Sequence, residues 1–343
     1  MTAAPGPDAR TAAVEAFLAR AGWADAARRP LAGDASFRRY LRLSRADGSS
    51  AILMDAPPPM EDVRPFVRIA GLLGELGLTA PRILAHAPRS GLVLEEDLGD
   101  DTFAALLDRG TDPEALFAAA VDVLVHLRQR VTAADLATLP TFGVPRLAEE
   151  SALVTDWFLP AWTGRPTPPE LRADYVARWT GVLTRAPFGP PTLVLRDYFA
   201  SNLIWLPQRD GVRRCGLLDF QDAVAGPAAY DLVSLLEDVR RDVPDELGAR
   251  MYERYLDRAG IADRDGFRHA YAVLGAQRNL RIAGVFTRLH RRDGKAHYLA
   301  FMDRVWALVA RDLGHPALAP IAEWLDRHVP VAWRTRPPVR GVA

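Results

Sequence analysis

Apolar spacing divides the chain into two parts. Val14, Phe17, Leu18 and Ala21 recur at helical intervals within residues 11–21, and Gly22 supplies a stop, which predicts a short amphipathic helix. From Arg28 the period changes. Residues 30–36 read as a turn, 37–43 alternate, and Asp47-Gly48 precedes the apolar run 51–54, the pattern of a β-hairpin. Pro57, Pro58 and Pro59 end that strand. Val63, Phe66, Val67, Ala70, Leu73 and Leu76 then mark one helical face, which stops at Gly77. Short apolar runs at 83–85 and 92–95 add two strands and complete a small sheet with one helix. Past Gly99 the pattern is helical, notably over 115–129, followed by a stretch rich in proline and tryptophan at 139–169. The boundary is therefore expected near Glu96–Gly99, separating residues 1–98 from 99–343. A second hairpin is predicted in the larger part, from strands at 192–195, 203–206 and 212–220 with a turn at 207–211, before helices resume at Leu232.

Composition narrows the class. A chain of 343 residues has room for about two domains or one two-lobed enzyme. Apolar residues at 49% and charged residues at 25% are ordinary for a globular protein and exclude a disordered or fibrous chain. Basic and acidic residues balance at 43 each, so the whole-molecule positive field of a dedicated nucleic-acid binder is missing. Cys215 is the single cysteine; it excludes an intrachain disulfide and a multi-cysteine metal site and reads as a buried small hydrophobe in a strand. No apolar run reaches the roughly 18 residues of a membrane span. Residues 1–20 mix Asp8 and Glu15 with alanines and do not read as a secretory signal, so a cytoplasmic protein is expected, with no obligate protein partner evident. Lys295 is the only lysine, so the basic charge is almost entirely arginine.

The chemistry concentrates at the second hairpin. Asp197 and Asn202 stand in Leu195-Arg196-Asp197-Tyr198-Phe199-Ala200-Ser201-Asn202, and Asp219 follows in Leu217-Leu218-Asp219-Phe220-Gln221. Phosphoryl transfer from ATP needs a carboxylate to orient and deprotonate the acceptor hydroxyl, and oxygen ligands to hold Mg²⁺ against the phosphates. This spacing supplies Asp197 as base and Asn202 and Asp219 as metal ligands. Asp222, three residues on, is a candidate to extend the metal site or to bind acceptor hydroxyls. Asp231 follows an expected Gly226-Pro227 turn, precedes the helical stripe Leu232, Leu235 and Leu236, and reads as an N-cap.

These segments resemble the aminoglycoside phosphotransferase and choline kinase group of protein-kinase-like folds. Closer still, Asp34-Ala35-Ser36-Phe37-Arg38-Arg39-Tyr40, Met54-Asp55-Ala56-Pro57-Pro58, Glu96-Asp97-Leu98-Gly99-Asp100, Leu217–Ala223 and Gly226–Asp238 resemble the anomeric kinases of N-acetylmuramate and N-acetylglucosamine. The resemblance covers most of the chain. It implies an α+β, bilobal fold: an N-terminal nucleotide-binding lobe (1–98) with a small antiparallel sheet and a hinge at its end, and a mostly helical C-terminal lobe (99–343). It implies ATP-dependent, Mg²⁺-dependent phosphorylation of the sugar's C1 hydroxyl in cell-wall recycling. Main-chain adenine contacts are then expected from Glu96 and Leu98, and Asp231 braces the catalytic loop. Two alternatives stay open: a kinase of the same fold acting on an aminoglycoside or amino alcohol, and a catalytically inactive nucleotide-binding module.

Two positions depart from the kinase pattern. Leu195 replaces the catalytic-loop histidine, a change that packing bears. Met54 stands where protein kinases place the phosphate-contacting lysine. Alternation puts Arg39 on the side of Phe37, Leu41 and Leu43, expected to face inward, so Arg39 is the first candidate for the phosphate contact and Arg38 the second. Ser36 is a further candidate donor to the triphosphate. For the sugar, Trp157, Trp162 and Tyr230 are candidate stacking faces, and Arg278 or Arg281 a candidate partner for the lactyl carboxylate of muramate.

Overall fold

The computed structural model describes residues 7–31 and 37–338. The chain forms two compact units. One gathers residues up to Val123 together with Ala200–Ala223; the other holds Leu124–Phe199 and continues from Val224. The five-stranded sheet ends at Glu96, close to the expected boundary, but the first unit runs on to Val123 and takes back the later hairpin, because that hairpin bonds to it through Thr79.

In the first unit, helix α1 (Pro7–Arg20) is followed by strands β1 (Ala27–Leu31), β2 (Arg39–Ser44) and β3 (Ser50–Asp55), helix α2 (Arg64–Glu75), and strands β4 (Ile83–Ala87) and β5 (Leu92–Glu96). The strands form one antiparallel sheet in the order β1-β2-β3-β5-β4. One face carries Leu43, Ala51, Leu53, Leu92 and Leu94, which pack against Val14, Phe17 and Leu18 of α1. Each large apolar side chain so buried contributes roughly 1.5–3 kcal/mol. The register Tyr40↔Met54↔Val93 and Arg42↔Ile52↔Glu95 assigns those residues to the other face.

Strand β1 occupies residues expected to begin a turn. It is an edge strand, mostly exposed, and Pro30 within it is tolerated because an edge has ladder positions that need no N–H. The later hairpin is shorter than expected. Strands β7 (Leu203–Trp205) and β8 (Cys215–Leu217) pair, while Gly211–Arg214 forms a 3₁₀ turn. Cys215 is buried and unbridged.

The second unit is mostly helical. Helix α3 (Pro113–Arg130) runs into it from the first unit, and α4 (Val144–Ser151), α5 (Pro169–Arg185), α6 (Ala229–Leu236) and the 30-residue α7 (Arg264–Asp293) follow. Tyr175, Trp179, Phe286, Trp306 and Trp324 lie in its core. A two-stranded ladder pairs β6 (Pro191–Val194) with β9 (Val224–Pro227), so Gly226-Pro227 is strand and not the expected turn. Gly226 permits a close approach: a Cβ there would lie 3.0 Å from Phe142. A single π-helical turn, Val154–Phe158, follows α4. Beside it Leu153 presses its backbone onto α7 at Gly284, where a Cβ would come within 2.4 Å of Leu153. Among the described residues no helix is long and apolar enough to cross a membrane.

Candidate active site

In the first unit the β7–β8 hairpin fixes two of the three expected groups. Asn202 directly precedes β7 and Asp219 follows β8. The Leu218 amide donates to the Asn202 carbonyl at 2.9 Å, so both residues stand at one end of the ladder. Asp219 has φ +56°, a left-handed conformation uncommon outside glycine and frequent at functional sites. Neighbouring contacts hold it there. Phe220 stacks on Phe66 of α2 with ring centroids 4.8 Å apart, and Gln221 Nε2 donates to Asp219 Oδ1 at 2.9 Å. The hairpin itself is pinned by Leu217 N donating to Thr79 O (2.8 Å) and Thr79 Oγ1 donating to Arg213 O (2.8 Å). An amide oxygen and a carboxylate offer a hard, oxygen-only donor pair, which suits Mg²⁺ completed by phosphate oxygens. Asp222 lies exposed nearby, 3.5 Å from Gln221 Nε2.

The sheet separates the two arginines expected near the phosphates. Arg39 is on the face packed by α1: it donates to Asp55 Oδ2 at 2.7 Å, Asp55 also pairs with Arg10 of α1, and the Arg39 side chain is 64% exposed. Alternation does set Arg39 on the side of Leu41 and Leu43, and α1 makes that side the apolar interior. Arg38 is the arginine beside Asp219. Its Nη1 lies 3.5 Å from Asp219 Oδ1, its Nε donates to Glu61 Oε2 at 3.1 Å, and its side chain is 12% exposed. Burial acts to lower the Arg38 pKa, but the charges of Tyr40, Glu61 and Asp219 more than offset this. Burial pushes Tyr40 up to about 12 and Glu95 up to about 8. Met54, at the lysine position, is buried in β3. Ser36 lies outside the described residues. The Glu96 carboxylate is held by Arg209 (2.8 Å) and Arg82 (3.3 Å), and Leu98 lies against Gly216.

The second unit holds Asp197. Strand β6 ends at Val194, and the following peptide is fixed by a buried carboxylate. Asp231 Oδ2 accepts from the Leu195 amide at 2.6 Å and Oδ1 from the Arg196 amide at 2.9 Å. Ser234 Oγ donates to Arg196 O at 3.3 Å and itself accepts from Arg278 Nη2 at 2.8 Å. Arg196 takes φ +72°, and the Asp197 amide turns back to Leu195 O at 2.9 Å. Asp231 sits inside α6, whose N-cap is Ala228, so the N-cap reading is corrected. Burial pushes Asp231 up to about 7, with Asp197 adding to the rise while the two amides and Arg278 oppose it. Leu195 is buried in the place of the catalytic-loop histidine.

The expected sugar contacts fare unevenly. Tyr230 is 1% exposed, with its ring edge-on to Phe142 in the core, so no face is left for a sugar, and that expectation is corrected. Trp162 stacks on Trp333 at 5.6 Å, and Trp157 is half-buried in the π-helical turn. Arg278 is buried on α7 beside Ser234, and burial lowers its pKa against the charges of Tyr230, Asp238 and Asp197. Arg281, one helical turn on, pairs with Glu150 at 2.9 Å. Glu61 was missed, and the contacts of Glu150, Arg196 and Ser234 were not foreseen. Arg196 adjoins the expected base and Ser234 lies within Gly226–Asp238, whereas Glu61 carries no local signal and is identified only by tertiary contact.

Comparison with known proteins gives a consistent picture. Residues 27–271 match the sequence profile of the family described as the phosphotransferase enzyme family. The chain is 38% identical to the N-acetylmuramate/N-acetylglucosamine kinase of Caulobacter vibrioides, over 95% of this chain and 98% of that one. It is 37% identical to the kinase of the same name from Pseudomonas aeruginosa, over 91% and 92%. Among solved structures, a choline/ethanolamine kinase family protein from Mesorhizobium loti aligns with a TM-score of 0.60 at 14% identity, over 93% of this chain and 99% of that one. Aminoglycoside 2'-phosphotransferase-IIIa in its GDP complex aligns with a TM-score of 0.63 at 14% identity, over 88% and 99%. At that identity the likeness concerns the fold: an N-terminal five-stranded antiparallel sheet followed by a mostly helical part.

Proposed function

Because this chain belongs to the phosphotransferase enzyme family, we propose that it is a kinase of N-acetylmuramate and N-acetylglucosamine, transferring the γ-phosphoryl group of ATP to the C1 hydroxyl of these sugars. The observation that carries this reading is the 38% identity sustained over 95% of the chain. The reaction belongs to recovery of cell-wall sugars for reuse. In it Asp197 accepts the proton of the C1 hydroxyl as the sugar oxygen attacks the γ-phosphorus, and ADP leaves. The Asp231 and Ser234 contacts hold the peptide before Asp197 in place, so the base is positioned before substrate arrives. Asn202 and Asp219 would hold Mg²⁺, which would supply neutralisation of the phosphate charge. Main-chain groups of Glu96 and Leu98 read the adenine edge.

Arg38 takes the role vacated at Met54. It stands beside Asp219 and is tethered by Glu61, as a phosphate-binding lysine is tethered by a glutamate in protein kinases. A guanidinium–phosphate hydrogen bond of about 1.5–3 kcal/mol corresponds to roughly 10- to 100-fold. Arg38→Met therefore lowers kcat/KM for ATP by about that factor, chiefly through KM, and Arg39→Met has the smaller effect. Steady-state kinetics with ATP as varied substrate checks the ranking, and the reverse order would restore Arg39 as the phosphate ligand.

The reaction itself is tested by ³¹P NMR of the protein with ATP, Mg²⁺ and either sugar. A sugar 1-phosphate resonance growing with ADP is the expected result. Phosphate on another hydroxyl overturns the C1 assignment, and absence of turnover on both sugars overturns the acceptor.

A further inference from the structure

Most ion pairs in this protein set one arginine against one or two acids, but around Glu150 the ratio is reversed. Glu150, on α4, accepts from Arg146 Nε at 3.1 Å on Oε1 and from Arg196 Nη2 at 3.0 and 2.9 Å on its two oxygens, and forms an ion pair with Arg281, whose Nε lies 2.9 Å from Oε2. Three guanidinium groups from three segments thus share one carboxylate, two more positive charges than Glu150 itself balances. The neighbouring group of Arg172 bound between Glu149 and Asp156 carries one net negative charge and offsets only one of them.

The group is partly withdrawn from water, where charge is least screened. The Arg196 side chain is 11% exposed and Glu150 19%, and the buried Arg196 Nε has no hydrogen-bond partner. The guanidinium groups of Arg146 and Arg196 lie 5.4 and 5.1 Å from the Phe142 ring, which orients both. Further along α7, Arg288 is held below its ordinary pKa by burial and by the like charges of Arg292 and Arg281. Excess positive charge in a half-buried setting is costly unless an anion completes it.

Position indicates which anion. Arg196 adjoins Asp197 in the chain, and Arg281 lies one turn along α7 from Arg278, which donates to the Ser234 hydroxyl that holds the Arg196 carbonyl. The two acceptors differ in one charged group: N-acetylmuramate carries a lactyl carboxylate that N-acetylglucosamine lacks. We propose that Arg146, Arg196 and Arg281, gathered on Glu150, form a carboxylate-recognition subsite that binds the lactyl group of N-acetylmuramate and sets the selectivity between the two sugars. Guanidinium groups suit the task because each presents paired donors to a carboxylate while still holding Glu150. The inference rests on the kinase reading above.

The test measures kcat/KM of the full-length enzyme for N-acetylmuramate, its methyl ester and N-acetylglucosamine, in wild type and in the variants Arg281→Met, Arg281→Lys and Arg146→Met. In wild type the ester is expected to lose about tenfold against the free acid. Arg281→Met and Arg146→Met should each lower the N-acetylmuramate to N-acetylglucosamine ratio by about tenfold, through KM, with Arg281→Lys recovering part of it. A wild type that treats acid and ester alike overturns the subsite without any variant having to fold. So does a variant that lowers both sugars in proportion. A wild type inactive on both sugars overturns the kinase reading, and this inference with it.

Discussion

Asp197→Asn lowers kcat on either sugar by about a thousandfold while the protein keeps its thermal transition. The magnitude follows from what a positioned general base contributes, about 10²- to 10⁴-fold. The amide has the shape of the carboxylate but does not accept the hydroxyl proton. The fold is expected to survive because the loop is fixed from other side chains: Asp231 takes the Leu195 and Arg196 amides, and Ser234 donates to the Arg196 carbonyl. Single-turnover kinetics with matched thermal denaturation separates the two effects. A variant within tenfold of wild type in kcat would remove Asp197 from the role of base.

Asp231→Ala should strike both stability and rate. The mutation strips the acceptor from two amides in a buried setting, and each unsatisfied buried group costs about 1–3 kcal/mol. A loss of about 2–6 kcal/mol is therefore expected, with Arg196 relaxing out of its left-handed conformation and kcat falling as Asp197 loses its fixed position. Amide hydrogen exchange provides a local readout. The Leu195 and Arg196 amides should lose protection first, and wild-type protection there would show that the carboxylate does not brace the loop. Asp231→Asn, which keeps one acceptor oxygen, should fall between the two.

What the sequence disclosed follows from the range of the signals. Strands β2, β3 and β5 and helix α2 were legible because their periods are local, and Asp197, Asn202 and Asp219 because their spacing is. Strand β1 was not, since Ala27-Arg28-Arg29-Pro30-Leu31 is an exposed edge whose side chains need not alternate. Strand β9 was hidden behind Gly226-Pro227, a dipeptide that usually turns but here lets the backbone approach Phe142. Arg38 and Arg39 show the same limit within the site. Alternation separates two neighbours onto two faces, but only the packing of α1 decides which face is apolar interior. Glu61 and the Arg196 and Arg281 contacts of Glu150 were beyond reach for the same reason, because those partners lie in segments distant along the chain.

The first unit is assembled from two stretches of chain, and that imposes an order on its birth. Its sheet is complete by Glu96, but Thr79 waits for Arg213, 134 positions later, and Phe66 waits for Phe220. At a synthesis rate of about 5–20 residues per second, the gap between residues 96 and 223 lasts roughly 6–25 s. Through that interval the nascent sheet and α2 lack their closing hairpin, and the Phe66 side of α2 stays uncovered for chaperones or neighbouring chains to meet. A message truncated ahead of codon 200 would leave that state permanent, and a split version of this protein cannot be made by cutting once between the two units.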